Sequence, residues 1–224
     1  DIAEWHGNYV LSPNRFQTFA YLDTVFGSVR ISGDSEWLTM TSLQQAPRRL
    51  RALGDRLFSA NDRATASHVF LRGENGEFLI SDGFKTYEKV ADSYLAAHWT
   101  SIALGVAGLI WLVATGFVSL LRHRAGMIGR PQAPAVISFL LLFIPVPFFL
   151  KQSFMALGDL TPASAALAAA TFLLPVAMVL TILRAWKLRG TSRLALVHSL
   201  AALLALQWFT VLAVAGLWPL RLWA

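Results

Sequence analysis

Serine, histidine and lysine are the residues of this chain best suited to hydrolytic chemistry, and their spacing withholds it. A serine nucleophile needs a base beside it, and the common local forms are Ser-x-x-Lys and Gly-x-Ser-x-Gly. Neither occurs in the 224 residues. Ser81 and Lys85 stand four apart across Asp82-Gly83, a turn signal leading into a strand, so their spacing reads as coincidence. His6, His68, His98, His123 and His198 are scattered singly, without the paired spacing of a metal site. His-Glu-x-x-His, a phosphate-binding glycine loop and a dinucleotide fingerprint are all missing, and the carboxylates are spread through turns. The absence of cysteine excludes disulfides and thiolate ligands. The residues therefore predict no catalytic, cofactor-binding or metal site in this chain.

The elements that would have to position any such site fall into two unlike halves. Residues 1–95 carry ten basic and twelve acidic side chains; residues 96–224 carry nine basic and one acidic, Asp159. The net charge of +6 thus belongs to the second half. Nucleic-acid binding needs Lys and Arg gathered on one accessible face. Here they sit in short connections between apolar stretches, so no nucleic-acid partner is expected. No initiator Met and no signal peptide precede Asp1-Ile2-Ala3-Glu4-Trp5, which reads like the middle of a fold, so the start of a parent protein is expected upstream.

A helix needs about 20 predominantly apolar residues to cross a bilayer. Four stretches fit: 97–121, 134–151, 162–184 and 192–217. The first has no charge at all. The second holds Pro145 and Pro147 and should kink there; the third starts on Thr161-Pro162, an N-cap followed by proline, with a bend near Pro175; the fourth stops at Gly216 to Pro219. Ala165 with Ala169, and Ala166 with Ala170, offer a small-residue stripe for close helix contact. The lipid bilayer is the partner these spans imply.

Short loops rich in Lys and Arg stay cytoplasmic. Arg122, Arg124 and Arg130 follow the first span, and Arg184, Lys187, Arg189 and Arg193 follow the third; the alternate side has only Lys151 and Arg221. Seven against two places the N-terminal domain and the C-terminus outside the cytosol, with Tyr94, Trp99, Trp218 and Trp223 at the outer interface and Trp186 at the inner one. Ionisable groups inside spans mark ion paths or ligands. The spans show almost none. His198 lies about two turns inside the fourth, with a haem-ligand or proton-site reading beside that of an interfacial histidine; a haem would want a facing partner, and His98 belongs to the other side. The bundle reads as an anchor.

Residues 1–93 form the other domain, β-rich and extracytoplasmic. Short alternating runs at 7–11, 28–32, 37–43, 48–53, 56–59, 67–72, 77–81 and 84–90 are separated by turn residues, with Asn75-Gly76 the sharpest hairpin signal. The fold class is α+β: an antiparallel meander or partly closed barrel, then a four-helix transmembrane bundle over 94–224. A helical turn is expected over 15–22. Trp5, Tyr9, Phe16, Phe19, Trp37, Phe58, Phe70 and Phe78 can fill the core; alternatively they line an apolar ligand cavity of the kind small barrels hold.

Several stretches of the first half occur in the order found in one family: Gly7-x-Tyr9-x-x-Ser12-x-x-Arg15, Val29-Arg30-Ile31-Ser32-Gly33, Leu53-Gly54-Asp55-Arg56-Leu57-Phe58, Val69-Phe70 followed by Gly76, and Tyr87-Glu88-Lys89-Val90 before a span. The first ninety residues resemble the C-terminal accessory region of bacterial serine hydrolases related to class C β-lactamases and penicillin-binding proteins, some of which continue into a membrane anchor. The resemblance implies an upstream catalytic domain with Ser-x-x-Lys and Tyr-x-Asn motifs, none of which can be placed here. It implies a parent enzyme that hydrolyses an ester, amide or peptidoglycan-like bond at the outer face of the bacterial cytoplasmic membrane, tethered by this chain. The readings beside it are a lipocalin-like ligand-binding or sensing protein, and a membrane subunit holding haem or quinone through His198.

Overall fold

A computed structural model describes residues 2–14, 19–34, 36–122, 129–188 and 192–223. The chain divides into two compact units, Asp1–Trp99 and Thr100–Ala224.

The first unit is an eight-stranded closed antiparallel barrel, β1 (Gly7–Leu11), β2 (Val29–Gly33), β3 (Trp37–Ser42), β4 (Arg48–Gly54), β5 (Leu57–Ala60), β6 (His68–Arg72), β7 (Phe78–Ser81) and β8 (Thr86–Val90), each paired with the next. Pairing of β1 with β8, Tyr9 opposite Lys89, removes the free edges that an open sheet would leave. Because side chains alternate across a strand, every second residue points inward. Tyr9, Ile31, Leu38, Leu50, Phe58, Phe70 and Ile80 meet there, with Trp5 from a 3₁₀ turn at Ile2–Trp5 closing one end. Trp5 packs edge-on against Phe78, and Phe58 stacks on Phe70.

Two expected core aromatics are elsewhere. Trp37 is 36% exposed, because its neighbour Leu38 takes the inward position of β3, and adjacent residues cannot share a face. Phe19 is 49% exposed: it precedes α1 (Ala20–Phe26), whose Tyr21, Thr24 and Val25 turn inward instead. Phe16, and the 15–18 part of the expected helical turn, lie outside the described residues; the helix that is seen starts later than that turn and runs beyond it.

One residue after β8, helix α2 (Asp92–Arg122) begins. Its first turns belong to the barrel unit, where Asn8 Nδ2 donates to Asp92 Oδ1 (2.8 Å) and Trp99 meets Phe26 edge-on.

The second unit contains the rest of α2, then α3 (Ala133–Leu141), α4 (Val146–Lys151), α5 (Pro162–Lys187) and α6 (Arg193–Val214). Counting α3 and α4 as one span, four helical stretches among the described residues are long and apolar enough to cross a membrane, which is the pattern of a multi-pass membrane protein. The break inside the second span has a covalent cause. Pro145 has no N–H to give Leu141, so Leu142, Phe143 and Ile144 bond three residues back rather than four before α4 resumes. α5 begins on the expected cap: Thr161 N donates to Ser164 Oγ (2.8 Å), Ser164 N returns to Thr161 Oγ1 (3.3 Å), and Pro162 takes the first helical position. It passes through Pro175 without a break. Of the two expected small-residue pairs, Ala165 and Ala169 are exposed, whereas in the other Ala166 is half-buried and Ala170 is buried, as are Ala163 and Ala177, one heptad to either side.

Helix α2 meets α6 through glycines. A Cβ on Gly108 would strike the Ala201 carbonyl, and one on Gly105 would strike Trp208. Ser101 and Gln207 exchange two hydrogen bonds across the same contact, 3.0 and 2.9 Å.

Candidate functional site

A polar cup of about 220 Å³ lies at one mouth of the barrel, lined by residues that include Arg48, His68, Asp82, Lys85 and Tyr87. Alternation along β6 brings His68 to the same inward face as Phe70, so a histidine ends a column of core residues. It is almost fully buried, and its Nδ1 lies 2.9 Å from Ser67 Oγ. Burial holds its pKa below the ordinary histidine value; Asp82 opposes this, while Arg48 and Arg63 reinforce it. Tyr87, opposite Ile80, is pushed up by burial and stays a phenol. The cup thus offers a neutral imidazole, a phenol, two exposed cations and the half-buried carboxylate of Asp82.

Two hydroxyls close by in sequence, those of Ser67 and Ser81, accept from backbone N–H groups. Ser67 Oγ accepts from Ala60 N (2.9 Å), which ties it to the β5–β6 turn rather than to the cup. Ser81 Oγ accepts from Gly83 N and from Thr86 Oγ1, both 3.3 Å, and Lys85 N donates to Asp82 Oδ1 (2.7 Å). Ser81 and Lys85 are therefore two parts of one hairpin turn. The alternation of β6 in the sequence was the available signal for an inward His68, and a reading by motif passes over it.

Among the described residues, the side chains of Tyr9, Phe70, Ile31, Leu38, Leu50 and Ile80 fill the barrel interior and have almost no accessible surface. Tyr9 closes it with a hydrogen bond from its hydroxyl to the Trp5 carbonyl, 2.7 Å.

The remaining histidines are separate. His98 Nδ1 lies 2.8 Å from the Tyr94 carbonyl, with its ring between Tyr94 and Tyr21. His198 is buried in the helical unit, its Nε2 3.3 Å from Thr115 Oγ1. His6 is half-buried near the barrel's 3₁₀ turn, and His123 is outside the described residues. No group of three His, Asp or Glu is placed to hold a metal among the described residues. Comparison with protein-family models, with curated proteins and with solved structures finds no match to this chain.

Proposed function

We propose that this chain is the accessory domain and membrane anchor of a serine hydrolase related to class C β-lactamases and penicillin-binding proteins, acting at the outer face of the bacterial cytoplasmic membrane. The observation that carries the reading is a closed barrel with a filled interior, followed after one residue by a helix that continues into a membrane-spanning bundle. A domain of that kind suits holding and bracing better than capturing. The filled interior weighs against the lipocalin-like ligand carrier, and the hydroxyls bound into turns weigh against catalysis by the barrel itself. The order of short matches along the first ninety residues supports the family, and the arginine-rich connections support an orientation with the barrel outside the cytosol.

The test is labelling of the natural full-length protein by a fluorophosphonate probe, beside this chain alone. Labelling at a serine upstream of Asp1, in a Ser-x-x-Lys motif, and none on this chain is the expected result. A parent protein that takes no probe, or whose reading frame holds no such motif, sinks the proposal.

A further inference from the structure

Seven cations crowd the connections after α2 and after α5, and the second unit has only Asp159 to neutralise them. Asp159 lies just before α5, at the other end of that helix from Lys187. Near these connections the helices leave a groove of about 570 Å³, within the roughly 300–1,000 Å³ of sites that hold small molecules. Trp111, Ala114, Thr115, Val118, Ser119 and Arg122 of α2 line it, at the spacing of a single helical face. From Trp111 to Arg122 is eleven residues, about 16 Å at 1.5 Å per residue. That is close to the depth of one leaflet, about half of the ~30 Å hydrocarbon core.

The lining changes character along this length. Trp111, Val118 and Leu194 make an apolar wall and are themselves open to the outside of the helical unit. Arg122 and Arg130 stand at the rim. Between them, Ser119 Oγ is buried with no hydrogen-bond partner. Thr115 Oγ1 donates to the Trp111 carbonyl, 2.7 Å, and lies 3.3 Å from His198 Nε2. An apolar wall one leaflet deep, with an unpaired hydroxyl beside it and two arginines at the rim, fits an amphiphile whose head is negative.

We infer that this groove holds an anionic glycerophospholipid of the surrounding bilayer, its phosphate between Arg122 and Arg130 and an acyl chain along Trp111, Val118 and Leu194. The arginines supply the headgroup preference, as basic clusters between transmembrane helices do. The inference needs only that the helices lie in a bilayer and does not depend on the hydrolase reading.

The full chain in mild detergent is titrated, in native mass spectrometry, with a phosphatidylglycerol, with the phosphatidylcholine of identical chains, and with inorganic phosphate. Phosphatidylglycerol is expected to bind with a preference on the order of tenfold over phosphatidylcholine. The double variant Arg122→Gln/Arg130→Gln should abolish that preference, while Lys187→Gln/Arg193→Gln, which removes two charges outside the groove, should retain it. Equal binding of the two lipids overturns the inference, as does loss of preference in both double variants or in neither. Displacement of phosphatidylglycerol by an equal concentration of inorganic phosphate also overturns it, in favour of a free-anion site. Ala114→Phe fills the wall and keeps both arginines, so it must weaken phosphatidylglycerol binding even where the charge variant fails to fold; unchanged binding there overturns the acyl-chain half.

Discussion

The Tyr9 hydroxyl is a polar group within the barrel core, and burial pushes its ionisation far above the ordinary phenol range. It is tolerated because it donates to the Trp5 carbonyl. Tyr9→Phe keeps the ring and orphans that carbonyl, so the barrel should lose about 1–2 kcal/mol, read from a denaturant titration of the solubilised chain. An unchanged midpoint would mean that water reaches the carbonyl. His68 predicts a pH dependence. Its folded pKa lies below the unfolded value of about 6.5, so as pH falls through 6.5 the unfolded chain gains a proton that the folded one refuses. Stability conferred by the neutral ring is complete above that pH, declines below it, and levels off once the folded pKa is passed. His68→Gln removes this component; a melting curve at pH 7.5 and 5.5 that shifts equally in both proteins would show that another group is responsible. Much of the inward set was legible as alternation: Tyr9, Phe58 and Phe70 follow from the period of two. Trp37 was not, because size suggests burial while the register, set by Leu38, decides it.

At the scale of elements, turns and glycines decide what side-chain types leave open. The β4–β5 hairpin pairs Gly54 with Leu57 and puts both central residues, Asp55 and Arg56, at positive φ, 48° and 63°. That is the pattern of a type I′ turn, which favours Asp-Gly. Arg56→Gly should relieve about 1–2 kcal/mol of left-handed strain against up to about 1 kcal/mol of added chain entropy, a net gain of about 0.5 kcal/mol in thermal denaturation. A loss would show that the Arg56 side chain has contacts worth more than the strain. Within α2, Gly108→Ala drives a methyl into the Ala201 carbonyl and should cost about 1–3 kcal/mol, whereas Gly158→Ala, in the turn ahead of α5, meets nothing within 4 Å and should be neutral. Equal melting of the two variants in detergent would remove the claim that α2 and α6 are in tight contact. All eight strands were legible within a residue or two, since turn residues bracket each one. The proline break was legible too, whereas the packing face of α5 was not, because alanine is so frequent there that its spacing carries little information without the partner helix.

At the scale of the whole molecule, the charge pattern makes the strongest demand on the proposed orientation. Translocating an arginine-rich connection is unfavourable, so that proposal keeps the connections after α2 and α5 in the cytosol and, with four crossings, puts the barrel and the C-terminus outside. The chain has no cysteine, so a single introduced thiol reports its own side without background. Asn75→Cys in the β6–β7 turn, Met155→Cys between α4 and α5, and Leu222→Cys near the C-terminus are all at exposed positions, as is Lys187→Cys at the end of α5. In intact spheroplasts a membrane-impermeant maleimide should label the first three and spare the fourth, which becomes reactive only on lysis. Labelling of Lys187→Cys before lysis together with protection of Asn75→Cys would invert the molecule and put the barrel in the cytosol. Protection of Met155→Cys and Leu222→Cys with labelling of Lys187→Cys before lysis, Asn75→Cys being labelled as before, would mean that the proline-broken second span turns back without crossing. The three-residue switch in hydrogen bonding ahead of Pro145 makes that outcome a real competitor: freed carbonyls at membrane depth are stable only against protein or water, and α3 packs closely on α5 while α4 has no buried residue.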